Sequence, residues 1–252
     1  MKPRCIVHWL GQVPYEEAWQ LQDRLAGEIA NGERLPTLLL LEHPHTYTFG
    51  RRGQAENLLW DEAELARRAV TVHWVDRGGD VTYHGPGQLV GYPLLPLAPG
   101  GLQTTLSSGS TRLPQADFVS YLRKLEQVLI KALARFGVIG EQVPGLTGVW
   151  VQRQSVEQLS SSSADALLTW VKIAAIGVKV DVRGISRHGF ALNVDPDMSY
   201  WDGIIGCGLE GYQETSLAEL LDSTPSMAAV SEVVGFAFEE IFGYSIEWQK
   251  TV

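Results

Sequence analysis

Four stretches of this 252-residue chain carry side chains able to do chemistry. The densest is Arg77-Gly-Gly-Asp-Val-Thr-Tyr-His-Gly-Pro-Gly-Gln-Leu-Val-Gly-Tyr92, where five glycines among sixteen residues let the backbone turn sharply and approach a ligand closely. Arg77, Tyr83 and His84 add a cation, an aromatic ring and an ionisable ring. A hairpin with tight turns is the plain alternative, and neither G-x-G-x-x-G nor G-x-x-x-x-G-K-[ST] is present to mark a phosphate loop. Second is Lys172-Ile-Ala-Ala-Ile-Gly177. A lysine in such a strand either snorkels to solvent or points into a cleft, and alternation leaves both open. Third is His188-Gly-Phe-Ala-Leu-Asn193, where a histidine ahead of a strand is more often structural than catalytic. Fourth is Ile204-Ile-Gly-Cys-Gly-Leu209. Two flanking glycines put Cys207 on a bend, with its sulfur uncrowded and neighbouring amides available to an oxyanion. Free cysteine is usually a small buried hydrophobe, and its thiol titrates at about 8.5, so a nucleophilic Cys207 needs a nearby cation. Lys172 is the candidate. Cys5 sits within a strand pattern and reads as a bystander.

Composition narrows the classes. With 45% hydrophobic and 19% charged residues the chain reads as soluble and globular, and α/β chains of this length commonly close around one core, so one domain spanning 1–252 is expected. Cys5 and Cys207 match no disulfide or metal spacing, no metal is expected, and a reducing compartment fits. No secretory or membrane-spanning segment is apparent, so the expected location is the cytoplasm. The net charge of −9 is uneven: from Asp197 onward ten acids face Lys250 alone, while residues 1–196 are neutral. That sign disfavours nucleic acid.

The elements that must position these residues follow from periodicity. Cys5–Leu10 and Thr37–Leu41 read as strands with a helix over Tyr15–Ile29 between them, followed by a short helix over Trp60–Ala69 and a strand over Val70–Val75. An apolar stripe from Phe118 to Phe136 marks the clearest helix. Gly148–Val151, Trp170–Val182 and Gly189–Val194 read as strands, and a last helix runs from near Pro225 to Phe242. Polar stretches near 97–116 and 152–167 read as surface insertions.

The run Arg77–Leu95, with Glu42–Gly50, Gly148–Val151, Lys172–Val178, His188–Val194 and the glycine-flanked Cys207, resembles the lipoyl(octanoyl) transferases in residue type and order. The resemblance covers about residues 37–211. It implies an α/β fold of the biotin/lipoate protein ligase catalytic-domain type, a mixed sheet with packed helices. It also implies transfer of an octanoyl group from octanoyl-acyl carrier protein to a lysine of lipoyl domains, those of 2-oxoacid dehydrogenases and the glycine cleavage H protein, with no cofactor, no nucleic acid and no membrane. By position the acyl-thioester nucleophile falls on Cys207 and the lysine that lowers its pKa on Lys172. The acyl-binding segments fall on Arg77, Gly78, Gly79, Asp80, Val81, Thr82, Tyr83 and His84, on Ala175, Ile176 and Gly177, and on Gly189, Phe190 and Ala191.

An eight-carbon chain needs an apolar wall, for which Val81, Tyr83, Ile176 and Phe190 are the expected residues. Acyl carrier proteins are typically acidic, and Leu168–Phe190 carries Lys172, Lys179, Arg183 and Arg187 against Asp181. Docking is expected there, with the acidic tail turned away. Three rivals remain: an ATP-dependent lipoate or biotin ligase of the same fold, a non-catalytic binder of carrier or lipoyl domains, and a cysteine hydrolase pairing Cys207 with His84 or His188, for which no orienting acid is evident.

Overall fold

The computed structural model describes residues 2–97, 115–154, 168–206 and 212–250. The first half runs β1 (Arg4–Gln12), α1 (Tyr15–Ala30), β2 (Thr37–Glu42), β3 (Thr46–Phe49), α2 (Glu62–Arg67), β4 (Thr71–Trp74), β5 (Val81–His84) and β6 (Gln88–Leu94). The second runs α3 (Gln115–Ala134), β7 (Val149–Gln154), β8 (Leu168–Val180), β9 (Ser186–Asn193), β10 (Gln213–Glu214), the one-turn α4 (Leu217–Leu220), α5 (Met227–Phe242) and β11 (Ser245–Gln249). Of the two expected insertions, 98–114 and 155–167 lie outside the described residues; their flanks are regular structure, opening α3 and closing β7.

Strands β10-β8-β9-β6-β2-β1-β11 form the main sheet, and β7 joins it by pairing with β8. Pairing is parallel for β11–β1, β1–β2 and β8–β10, and antiparallel elsewhere, so the sheet is mixed. Both faces are covered, which is why the leucine run of β2 is apolar without alternation. Leu38 and Leu40 enter the core under α3 and α5, whereas Leu39 and Leu41 enter the core under α1. In α3 the stripe Tyr121, Leu125, Val128, Leu129, Ala132 and Leu133 is buried at helical spacing. Ser226, ahead of α5, accepts a hydrogen bond from the Ala229 amide and satisfies one amide of the first turn.

A second sheet, β4-β3-β5, packs Tyr47, Phe49, Val81 and Tyr83 against Tyr200 and Ile204 in a third core. The glycine-rich stretch therefore holds two strands. Val81–His84 belongs to the small sheet and Gln88–Leu94 to the large one, and residues 85–87 carry the chain between them. Gly87 makes that crossing possible: its φ is +84°, and a Cβ there would lie 2.1 Å from the Asp195 carbonyl oxygen. Among the described residues no helix is long and apolar enough to cross a membrane.

Candidate active site

Where the two sheets meet, three segments separated in sequence close around one small pocket. Arg77–Asp80, Thr82 and His84 come from the glycine-rich stretch, Ala175–Gly177 from β8 and Gly189–Ala191 from β9, with Tyr15 of α1 and Tyr92 of β6 behind them. Antiparallel pairing sets Ala175 opposite Ala191, Ile176 opposite Phe190 and Gly177 opposite Gly189, which brings the second and third segments together. Small residues let these backbones come close. At Gly189 a Cβ would stand 2.0 Å from the Gly91 carbonyl oxygen, and at Gly91 one would strike the Phe190 ring at 2.1 Å. The Phe190 ring thus lies over Gly91 and serves as a wall.

Two expected wall residues lie elsewhere. Strand alternation sends Val81 and Tyr83 to the opposite face of β5, where both are fully buried in the third core; Thr82 and His84 face the pocket instead. Ile176 and Phe190 line it as expected.

A cleft of about 730 Å³ adjoins the pocket and shares Gly78, Gly79, Asp80, Ile176 and Gly177 with it. Lys172 lines this cleft at 3% exposure, so of the two orientations open to it the side chain takes the buried one. Its Nζ stands 4.7 Å from the centre of the Trp150 ring, a cation–π contact from β7. Glu214 of β10 is the register partner of Lys172 on the other side, and the Thr215 amide donates to the Lys172 carbonyl at 2.8 Å. Burial pushes the Glu214 carboxyl up, and the Lys172 charge offsets that only in part. The sequence placed Trp150 in the Gly148–Val151 motif without giving it a role and did not mark Glu214, because the part each plays depends on strands pairing with β8.

Cys207 and the glycine-flanked amides after it lie outside the described residues. The chain leading there is anchored: the Ile205 amide donates to the Asn57 carbonyl at 2.9 Å, Ile204 bridges to Leu58, and Ile205 lines the same cleft as Lys172. Cys5 is wholly buried in the main core, which pushes its thiol up to about 12.

The glycine loop is fixed by polar partners. Asp80 accepts from the Gln54 amide at 3.1 Å, the Val81 amide at 2.7 Å and the Asn57 side chain at 2.5 Å. Arg77 is buried and donates to Thr48 Oγ1 and to the Thr48 and Gly78 carbonyls. Behind the pocket, hydrogen bonds fix histidine tautomers. His43 Nδ1 faces the Val13 carbonyl at 2.6 Å and so carries the proton, leaving Nε2 to accept from the Tyr92 hydroxyl at 2.8 Å. Gln88 donates its amide to the Tyr83 carbonyl and to Asn193 Oδ1, so its oxygen accepts from His84 Nδ1 at 2.9 Å. Burial lowers His84 well below the usual histidine range and holds it neutral.

His188 has a left-handed backbone, φ +56°, with its amide donating to Gln22 Oε1 at 2.7 Å. Its Nε2 lies 2.8 Å from Asp76 Oδ1 and its Nδ1 3.5 Å from the Tyr15 hydroxyl. An orienting acid for this imidazole therefore exists, contrary to the reading from sequence. Asp76 was missed because it stands 112 positions away, just outside the glycine-rich motif.

The expected cationic docking region is largely neutralised. Lys179 pairs with Asp76, Arg183 with Asp23 and Asp181, and the buried Arg187 with Asp23. The acidic tail divides: Glu214 adjoins Lys172 and Glu219 pairs with Arg153 of β7 beside β8, whereas Glu247 pairs with Arg4 at the opposite edge of the sheet and Glu240 with Lys131 of α3.

Residues 14–239 match the family described as lipoyl protein ligase A/B catalytic domain. The chain is 43% identical over 236 residues to the octanoyltransferase of Chloroflexus aurantiacus, covering 94% of this chain and 93% of that protein. It is 42% identical to the octanoyltransferase of Rubrobacter xylanophilus, covering 92% and 91%. Among solved structures it resembles the bipartite lipoate protein ligase of Thermoplasma acidophilum, with TM-score 0.67, 15% identity and coverage of 100% of this chain and 88% of the other. It also resembles lipoate-protein ligase A bound with ATP, with TM-score 0.66, 14% identity and coverage of 100% and 90%. At such identities these two likenesses are of fold.

Proposed function

Because the chain belongs to the lipoyl protein ligase A/B catalytic-domain family and is more than 40% identical to octanoyltransferases, we propose that this acyltransferase moves an octanoyl group from octanoyl-acyl carrier protein to a lysine of a lipoyl domain, through a thioester on Cys207. The observation that carries the reading is the pocket walled by Ile176 and Phe190, which opens into the cleft lined by Lys172. Acceptors would be the lipoyl domains of 2-oxoacid dehydrogenases and the H protein, met in the cytoplasm.

In the first half-reaction the Cys207 thiolate attacks the carrier thioester. A new C–S bond forms to Cys207, the carrier C–S bond breaks, and the carrier thiol takes a proton. In the second, the acceptor amine attacks octanoyl-Cys207, a C–N bond forms, Cys207 leaves as thiolate, and the amine gives up a proton. Exchange between thioesters is nearly neutral and thioester to amide runs downhill, so no nucleotide is required. Lys172, poised between the Trp150 ring and Glu214, would stabilise the thiolate and exchange these protons. Burying the acyl chain would contribute about 0.8 kcal/mol for each CH₂.

The test is incubation with octanoyl carrier protein and no lipoyl domain, followed by digestion and mass spectrometry. The expected product is an octanoyl group on the Cys207 peptide, lost in Cys207→Ala along with transfer. A bare peptide while amide still forms on adding acceptor overturns the covalent route. Transfer from free octanoate and ATP, but from no thioester, overturns the choice of donor.

A further inference from the structure

The cleft is larger than an acyl chain needs, and part of its wall comes from a turn the proposed chemistry leaves unused. Residues Gly50–Gln54 are fastened to the glycine loop: the Gly50 amide donates to the Asp80 carbonyl at 3.2 Å, the Arg51 amide to the Arg77 carbonyl at 2.9 Å and the Arg52 amide to the Gly79 carbonyl at 3.1 Å. The fit is tight enough that a Cβ at Gly50 would lie 2.4 Å from the Gly79 carbonyl oxygen. The turn is therefore held against the glycine loop as a platform.

Arg52 and Gln54 line the cleft from this platform; Arg52 is exposed, whereas Lys172, which lines the same cleft, is buried. Most arginines in the described structure pair with a carboxylate, among them Arg4, Arg24, Arg34, Arg67, Arg68, Arg123 and Arg183. Among the described residues no carboxylate lies within ion-pair distance of Arg52. Among the described residues the one acid lining the cleft, Asp80, is committed to the Gln54 and Val81 amides and the Asn57 side chain. In a chain of net charge −9, the cleft thus presents an exposed cation beside an amide in addition to the buried Lys172, to which the proposed thioester chemistry is assigned. The donor thioester of an acyl carrier hangs on a pantetheine arm whose far end is a phosphate. Guanidinium is suited to such an oxyanion, which accepts several of its donors at once.

We propose that Arg52, with Gln54 beside it, is an anion subsite that holds the phosphate of the donor's pantetheine arm while the thioester reaches Lys172. The proposal rests on the carrier-thioester reading above. It makes Arg52 a binding residue for the donor, outside the acyl pocket.

The experiment compares S-octanoyl-4′-phosphopantetheine with S-octanoylpantetheine as donors to a lipoyl domain, reading the ratio of their kcat/KM values, a ratio that partial unfolding leaves unchanged. Wild type is expected to favour the phosphorylated donor by about tenfold, the scale of one charge-assisted contact at an exposed site. Arg52→Ala brings the ratio close to one, Arg52→Lys keeps part of it, and Arg51→Ala, whose side chain does not line the cleft, leaves it as in wild type. The preference should shrink with added salt in wild type and not in Arg52→Ala. A ratio unaltered by Arg52→Ala, or a wild type indifferent to the phosphate, overturns the subsite. Transfer from neither thioester but from octanoate and ATP overturns the donor reading, and the subsite with it.

Discussion

Lys172 shows how much a side chain's role depends on where its strand is placed. In sequence it is a lysine between Val171 and Ile173; in the fold it is shut between the Trp150 ring and Glu214 with its stem in the cleft. Lys172→Met should therefore lower kcat/KM with octanoyl carrier protein by about 10²- to 10⁴-fold, and slow alkylation of Cys207 by iodoacetamide at neutral pH. Retention of more than a tenth of the activity would contradict the role. Phe190 makes a second, separable case. Because its ring covers Gly91 as a wall of the pocket, Phe190→Ala should move the preference among carrier-bound acyl chains towards ten or more carbons. Such a truncation also costs about 3–5 kcal/mol of stability, so the readout is the ratio of rates for long and short chains. An unshifted ratio would remove Phe190 from the wall.

The strands and turns explain why the glycine-rich stretch reads as a loop and folds as two strands. Its residues alternate in neither a simple apolar pattern nor a helical one, since β5 packs in one sheet and β6 in another with a turn between. That turn depends on Gly87, whose positive φ and approach to Asp195 leave no room for a side chain. Gly87→Ala should cost a few kcal/mol from the left-handed backbone and the clash together, lowering the melting temperature by roughly 5–10 °C in a chain of this size. A melt within a degree of wild type would show that the crossing can relax. The amphipathic α1 and α3, by contrast, were legible from spacing alone, because one face of each meets a sheet and the other meets water. β3 and β11 were not: four or five residues carry too little periodicity, and only pairing with β4, β5 and β1 makes them strands.

Across the molecule, charge and protonation couple to stability. Burial lowers His43 to about 4, and His84 and His188 also fall below the ordinary value. An unfolded histidine titrates at about 6.5, so below that pH the unfolded chain binds protons that the fold refuses. Stability is thus full above pH 6.5 and is lost as pH falls towards 4, by roughly 3 kcal/mol for His43 alone. Urea midpoints measured from pH 7.5 to 4.5 should decline steadily, and a flat profile would contradict buried neutral histidines. The same view corrects the docking site. Counted along the chain, Leu168–Phe190 is positive, but Asp23 and Asp76 arrive from α1 and from the loop after β4 to pair with its cations. Charge reversal at Arg183 and Arg187 should therefore lower the melting temperature before it alters KM for the carrier.

Amino-acid order alone was enough for the kind of fold, the main helices, the strands β1, β2, β8 and β9 and the family, because periodicity and the motif from Arg77 to Tyr92 are local properties of the chain. It also read Cys5 as a strand residue without a role, and the main core buries that side chain completely. Tertiary structure alone decided that Lys172 points inward, that Val81 and Tyr83 turn away from the pocket, that Trp150, Glu214 and Asp76 stand beside the candidate residues, and that the cations of β8 and β9 are matched by acids. Each of these rests on which strands pair and which face is covered. Those contacts join residues tens to more than a hundred positions apart, and no pattern within a short window of sequence encodes them.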